Sequence, residues 1–242
     1  MKRLTILASA ALLSLSQLSL ADVSPWQLEA HDEDKDIKVF TREVEGSELK
    51  EFKGVTHIKA SVNAFVALLK DDPQATSWMH NVIVFDVKER VSDEETVIYT
   101  VNEAPWPVTN RDTYIRSIMT ADANGVVTSS IKAEPDYGNV DEDFVRMPSV
   151  DGAWTFTPQD EGIVEVVYQV HANPGGSLPD WLVNAIVVET PMETLTNLHD
   201  KVQEEQYQNK TYAFIETAMK ASQSVAQELV NEELAGEGIV SE

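Results

Sequence analysis

From residue 36 onward the chain alternates apolar and polar positions with a period of two. In DIKVFTREV (36–44), Ile37, Val39 and Thr41 stand against mostly polar neighbours, and LKEFKGVTHI (49–58) alternates again after a Glu-Gly-Ser turn. That period predicts two strands in a hairpin. The segment SVNAFVALLKDD then changes the pattern. Ser61 supplies an N-cap, Phe65, Leu68 and Leu69 fall at helical spacing, and Asp72-Pro73 closes the segment. A helix of about three turns is expected there. Further strand-like runs occupy 82–91, 96–101, 111–120, 126–133, 153–157 and 163–171, separated by turns such as Asp-Ala-Asn-Gly. They predict an antiparallel meander, a curved sheet with one covered face.

The last strand runs into HANPGGSLPDWLVN (171–184). Gly175 and Gly176 can take backbone angles that other residues avoid, while Pro174 and Pro179 fix the direction of the chain on either side. The strand is thus reversed sharply into a helix that must lie back across the sheet, with Pro174, Gly175 and Gly176 as its hinge. On that helix Trp181, Leu182, Ala185, Ile186, Glu189, Met192, Leu195, Thr196 and His199 share a stripe, and Pro191 bends it. A second amphipathic pattern, carrying Ile215, Ala218, Met219, Ser222, Val225, Ala226, Leu229 and Leu234, marks a helical tail that packs on the domain or on a second copy.

The N-terminus belongs to none of these elements. MKRLTILASAALLSLSQLSLA has a basic start at Lys2 and Arg3, an apolar core too short to span a bilayer, and a Ser19-Leu20-Ala21 cleavage site. The division expected is a signal peptide at 1–21, one domain at 22–207 and the tail at 208–242. A cleaved signal implies a periplasmic or secreted protein. With no cysteine in the chain, neither disulfides nor a lipid-modified cysteine can hold it.

Charge narrows the partners. The chain has 41 acidic and 18 basic residues, a net of −23, so nucleic acid and anionic membrane surfaces should repel it. Membrane contact, where it occurs, is expected to be transient, and the basic-faced membrane helix is not present in the tail. The acidic run from Asp32 to Glu43 spaces carboxylates like a calcium loop but has Ile37 where the turn needs glycine, and it reads as a solvated turn. The histidines have no metal spacing, and neither Gly-x-Ser-x-Gly nor His-Glu-x-x-His occurs. No metal, cofactor or catalytic residue is expected.

The strand, NPGG, LPDWLVN and helix together resemble the C-terminal signature of START domains, the lipid-transfer domains related to the steroidogenic acute regulatory protein. APWPVTNRDTY (104–114) and FVRMPSVDGAWTFTP (144–158) fit in the same order, as do Trp26 and DIKVFTR, so the resemblance covers roughly residues 25 to 205. It implies an α+β helix-grip fold, a curved antiparallel sheet around an apolar tunnel closed by a C-terminal helix. Members of the family bind sterols, phosphatidylcholine or ceramide without chemistry, so the implied partner is one lipid ligand. The wider superfamily also includes cyclases and hydratase-like enzymes, and a ligand-responsive adaptor is a third alternative.

In such a fold core and cavity wall are one surface, so the apolar face of the last strand, Val166, Tyr168 and Val170, is a candidate lipid contact. Tyr168 resembles a tyrosine that touches the ligand in the ceramide-carrying branch, and a buried phenol needs a partner. On the strand from Arg111, the candidates are Arg111, Ile115 and Ser117, with Tyr99 and Ile131 on neighbouring strands. Arg111-Asp112 resembles the family's Arg-Asp pair. The arginine that meets the ligand's polar end in sterol and phosphatidylcholine carriers comes six residues after the first of these, where this chain has Ser117. Arg116 should point to the opposite face. Trp78, Trp106 and Trp181 complete the lipid-binding set with Leu182, Ala185 and Ile186 of the lid, Trp106 and Trp181 at the tunnel mouth. Trp154 reads as plain packing. An enzyme would draw on Glu165, Gln169 and His171, which alternation turns away from Tyr168.

Overall fold

Ile37, Val39 and Thr41 are all buried while the positions between them are partly exposed, as the alternation demands. The computed structural model describes residues 24–221. The leader expected at 1–21 and the tail pattern beyond 221 lie outside the described residues.

The strands are β1 (Gln27–Asp32), β2 (Ile37–Arg42), β3 (Glu51–Lys59), β4 (Val82–Arg90), β5 (Glu95–Asn102), β6 (Arg111–Ala121), β7 (Val127–Ala133), β8 (Val145–Arg146), β9 (Ser149–Pro158) and β10 (Ile163–Asn173). They form one curved, unclosed sheet in the order β1-β2-β3-β10-β9-β7-β6-β5-β4, with β8 paired in parallel to β6. Every other pairing is antiparallel. The expected strands are present. β1 leaves no alternation to read, because Gln27, Leu28 and Glu29 of this edge strand are all exposed.

Helix α1 (Val62–Leu69) is capped as expected, the Ala64 N–H donating to Ser61 Oγ at 3.2 Å, and is shorter than the sequence suggests. Its Phe65 stacks on Phe156 of β9 with ring centroids 5.0 Å apart. Helix α2 (Asp180–Lys201) crosses β2 and β3, and Leu195 and Leu198 of its second half join the same buried cluster as α1. Tyr212, Phe214 and Ile215, where a further helix begins at residue 213, also pack on that cluster.

Two features fix α2 against the sheet. Gly54 of β3 allows a close approach: a Cβ there would lie 2.6 Å from Leu195 Cδ1 and 3.4 Å from Pro191 Cβ. Polar contacts then pin the second half of the helix. The Thr56 hydroxyl donates to Lys35 O at 3.0 Å, so its 2.7 Å contact with His199 has the imidazole as donor. Lys35 Nζ donates to Thr196 O, Asn197 Nδ2 to Trp78 O, and the His80 N–H to Thr194 Oγ1. Lys35 Nζ also donates to Asp200 Oδ2, and Lys201 Nζ to Gln74 Oε1, so all six tethers lie beyond Pro191. Among the described residues of 181–193, no side chain makes a hydrogen bond.

On the convex face, Arg146 of β8 forms a bidentate pair with the fully buried Asp112 of β6, at 3.0 and 2.8 Å, and lies over the Tyr114 ring. The same guanidinium donates to Pro135 O and Asn139 O, which holds the long connection between β7 and β8.

Because the α2 contact leaves no room at position 54, Gly54→Ala is expected to cost about 1–3 kcal/mol of stability. Urea unfolding monitored by tryptophan fluorescence measures it. An unchanged midpoint would show that Leu195 and α2 yield without cost.

Candidate functional site

Between the concave face of the sheet and the first half of α2 lies a cavity of about 250 Å³. Typical small-molecule sites occupy about 300–1,000 Å³, so a large ligand requires the walls to part. Each strand contributes alternate side chains. From β6 come Arg111, Thr113, Ile115, Ser117 and Met119; from β5, Ile98, Thr100 and Asn102; from β10, Tyr168, Val170 and Ala172. The lid contributes Leu182, Ala185, Ile186, Glu189, Thr190 and Thr194, one helical stripe. At the turn before it, Gly175 and Gly176 have φ of 69° and 65°. A side chain on Gly175 would meet Arg146 O at 3.1 Å.

The structure brings together Arg111, Ile115, Ser117, Ile131, Tyr168, Val170, Leu182, Ala185 and Ile186, with Pro174 of the hinge beside them. Five expected contacts lie elsewhere. Trp78 is 1% exposed in the core, edge-on to Trp154, and Val166 is buried in the same cluster. Tyr99 has the wrong parity: Ile98 and Thr100 face the cavity, so its ring lies on the convex side, 4.9 Å from that of Tyr114. Trp106 and Trp181 are 92% and 56% exposed and stand outside the cavity, although their neighbours Pro105 and Leu182 line it.

Trp154 is packed in the core as expected and also borders the cavity. It stacks on Tyr168 with centroids 3.9 Å apart. Met79, Phe85 and Phe52 are further wall residues that the sequence does not single out. They come from β4, the loop before it and β3, and only the curvature of the sheet brings them to the cavity.

Several polar groups of the wall are poorly matched. Arg111 is 6% exposed; its Nη1 donates to Thr109 O, and its buried Nε has no partner. It makes no ion pair among the described residues, and burial lowers its pKa. The Thr100 hydroxyl is also buried without a partner. Ser117 Oγ lies 3.1 Å from Ser129 Oγ, a small neutral pair where the family resemblance places an arginine. The Tyr168 hydroxyl has no hydrogen bond among the described residues, and burial pushes its pKa up to about 12.

The three residues that the sequence offers to an enzyme face away, although His80, Glu103 and Glu189 line the cavity. Glu165 lies 3.5 Å from His57, Gln169 donates to Glu51, and His171 contacts Ser47, all on the convex side. Arg116 also points there, held by Glu134 and Glu95. Among the described residues no cluster of three or more histidine or acidic side chains could hold a metal ion.

The START domain model matches residues 6–209. The uncharacterized protein PA1579 of Pseudomonas aeruginosa is 39% identical over 197 residues, covering 81% of this chain and 94% of that protein. A crystal structure of a STAR-related lipid transfer protein fragment from Xanthomonas axonopodis is 40% identical, with a TM-score of 0.68 over 74% of this chain and 99% of that one. Human StAR-related lipid transfer protein 5 shares the fold at 17% identity, with a TM-score of 0.66 over 74% of this chain and 86% of that one.

Tyr168 yields a pH prediction. Its folded pKa of about 12 exceeds the unfolded value of about 10, so folding favours the protonated phenol. Its contribution to stability is complete below pH about 10 and is lost as pH rises through about 12. The difference in tyrosinate absorbance between wild type and Tyr168→Phe should therefore stay flat through pH 10 and develop near 12. A difference that titrates near 10 would mean that bulk water reaches the phenol.

Proposed function

The chain belongs to the START domain family, and from that premise we propose that it is a non-catalytic carrier that binds one lipid or other apolar molecule and transfers it between membranes. One observation carries the reading: an apolar cavity is covered by a helix half whose described side chains make no hydrogen bond, while the other half is pinned by six. Release needs the first half of α2 to swing between the Gly175-Gly176 turn and Pro191, and opening it breaks only apolar contacts. Enclosing an acyl chain is worth about 0.8 kcal/mol per methylene, so the site needs no covalent chemistry to gain affinity.

The exposed rings of Trp106 and Trp181 flank the loop and the lid, and suit brief contact with a bilayer interface during loading. The strong negative charge limits residence there. A leader of signal-peptide form supports action in the periplasm or beyond. The cyclase-like alternative lacks an acid or base inside the cavity at the expected positions, since Glu165, Gln169 and His171 are engaged on the outer face.

Native mass spectrometry of the mature protein purified from its own envelope, followed by organic extraction, is expected to find one bound lipid per chain. A protein that comes out empty and also ignores a panel of lipids would overturn the carrier reading. Filling the wall gives an internal check. Ile115→Trp should lower lipid uptake about tenfold, the equivalent of about 1–3 kcal/mol of overpacking, with the fold retained by circular dichroism.

A further inference from the structure

Arg111 and Thr100 occupy one patch of the cavity wall. In the β5–β6 ladder Asn102 stands opposite Arg111 and Thr100 opposite Thr113, so Thr100 and Arg111 are diagonal neighbours on one face. Both line the cavity, and both carry a buried polar atom without a partner, Arg111 Nε and Thr100 Oγ1. An arginine keeps its proton in proteins, so this guanidinium is a permanent charge lodged in an apolar wall with one backbone carbonyl, Thr109 O, as its acceptor.

The carboxylates near it are not available to it. Asp112 is adjacent in sequence but faces the other side of the sheet, where both its oxygens are taken by Arg146. Glu103 and Glu189 line the cavity from the loop after β5 and from the lid, and both are exposed and form no ion pair with Arg111. An uncompensated buried charge is among the costliest features a fold can hold. Its remaining donors are directed by a planar fork that suits an oxyanion.

We infer that the ligand is an acidic lipid whose terminal oxyanion, a carboxylate or a phosphate, sits on the Arg111 guanidinium with the Thr100 hydroxyl donating beside it. The inference rests on the carrier reading and adds the chemistry of the polar end. Ser117 and Ser129, which hold each other farther along the wall, take no part in the anchor.

The test compares matched pairs of probes on the full mature chain by isothermal titration: palmitic acid against hexadecanol, and palmitoyl lysophosphatidic acid against monopalmitoylglycerol. Wild type should bind the acid of at least one pair about ten- to a hundredfold more tightly than its neutral analogue, the range for a charge-assisted hydrogen bond at a buried site. The pair that shows the preference identifies carboxylate or phosphate as the source. Arg111→Gln should abolish the preference by weakening the acid alone, whereas a merely structural role would weaken acid and neutral probe together. Equal affinity within both pairs would overturn the inference and leave the carrier reading standing; no binding by any probe would sink both. Because the wild-type comparison needs no variant, it decides the matter even if Arg111→Gln fails to fold.

Discussion

Arg111 and Asp112 are consecutive residues of one strand, and consecutive strand residues face opposite sides of a sheet. The site follows from that constraint. Asp112 is turned to the convex side, where Arg146 takes both its oxygens and ties down the connection that precedes β9. Arg111 is turned to the concave side, into the cavity wall, where it makes no ion pair among the described residues. Were the two side chains on one face they would neutralise each other, and the cavity wall would have no free cation. Alternation separates them across the thickness of the sheet, so one charge is structural and the other is open to a ligand.

A second division falls along α2. Its final turns are clamped by Gly54, which lets Leu195 approach the backbone of β3, and by tethers from Lys35, Thr56, Trp78 and His80. Its first turns touch the rest of the protein through apolar side chains over the cavity. Pro191 stands between the halves, where an absent N–H already interrupts the helical ladder. The core that α1, β9 and the end of α2 share lies on the pinned side of that division.

The strands are legible in the chain from their period of two, as are the Ser61 cap, the reversal at Gly175-Gly176, the stripe at Leu182, Ala185 and Ile186, and the parity that sends Tyr168 and Val170 inward and His171 outward. These are local properties: a side chain's face follows from its place in a strand or helix, and the turn residues mark where each element ends. Tyr99 could not be placed this way, because parity within β5 has meaning only once its register against β6 is known. Only the tertiary structure shows that Trp154, packed against Trp78 in the core, also borders the cavity, that Met79 and Phe85 reach it, and that Arg111 makes no ion pair among the described residues. Each depends on sheet curvature and on contacts between residues far apart in the chain, and an alternation pattern carries no information about which of two inward faces a helix will cover.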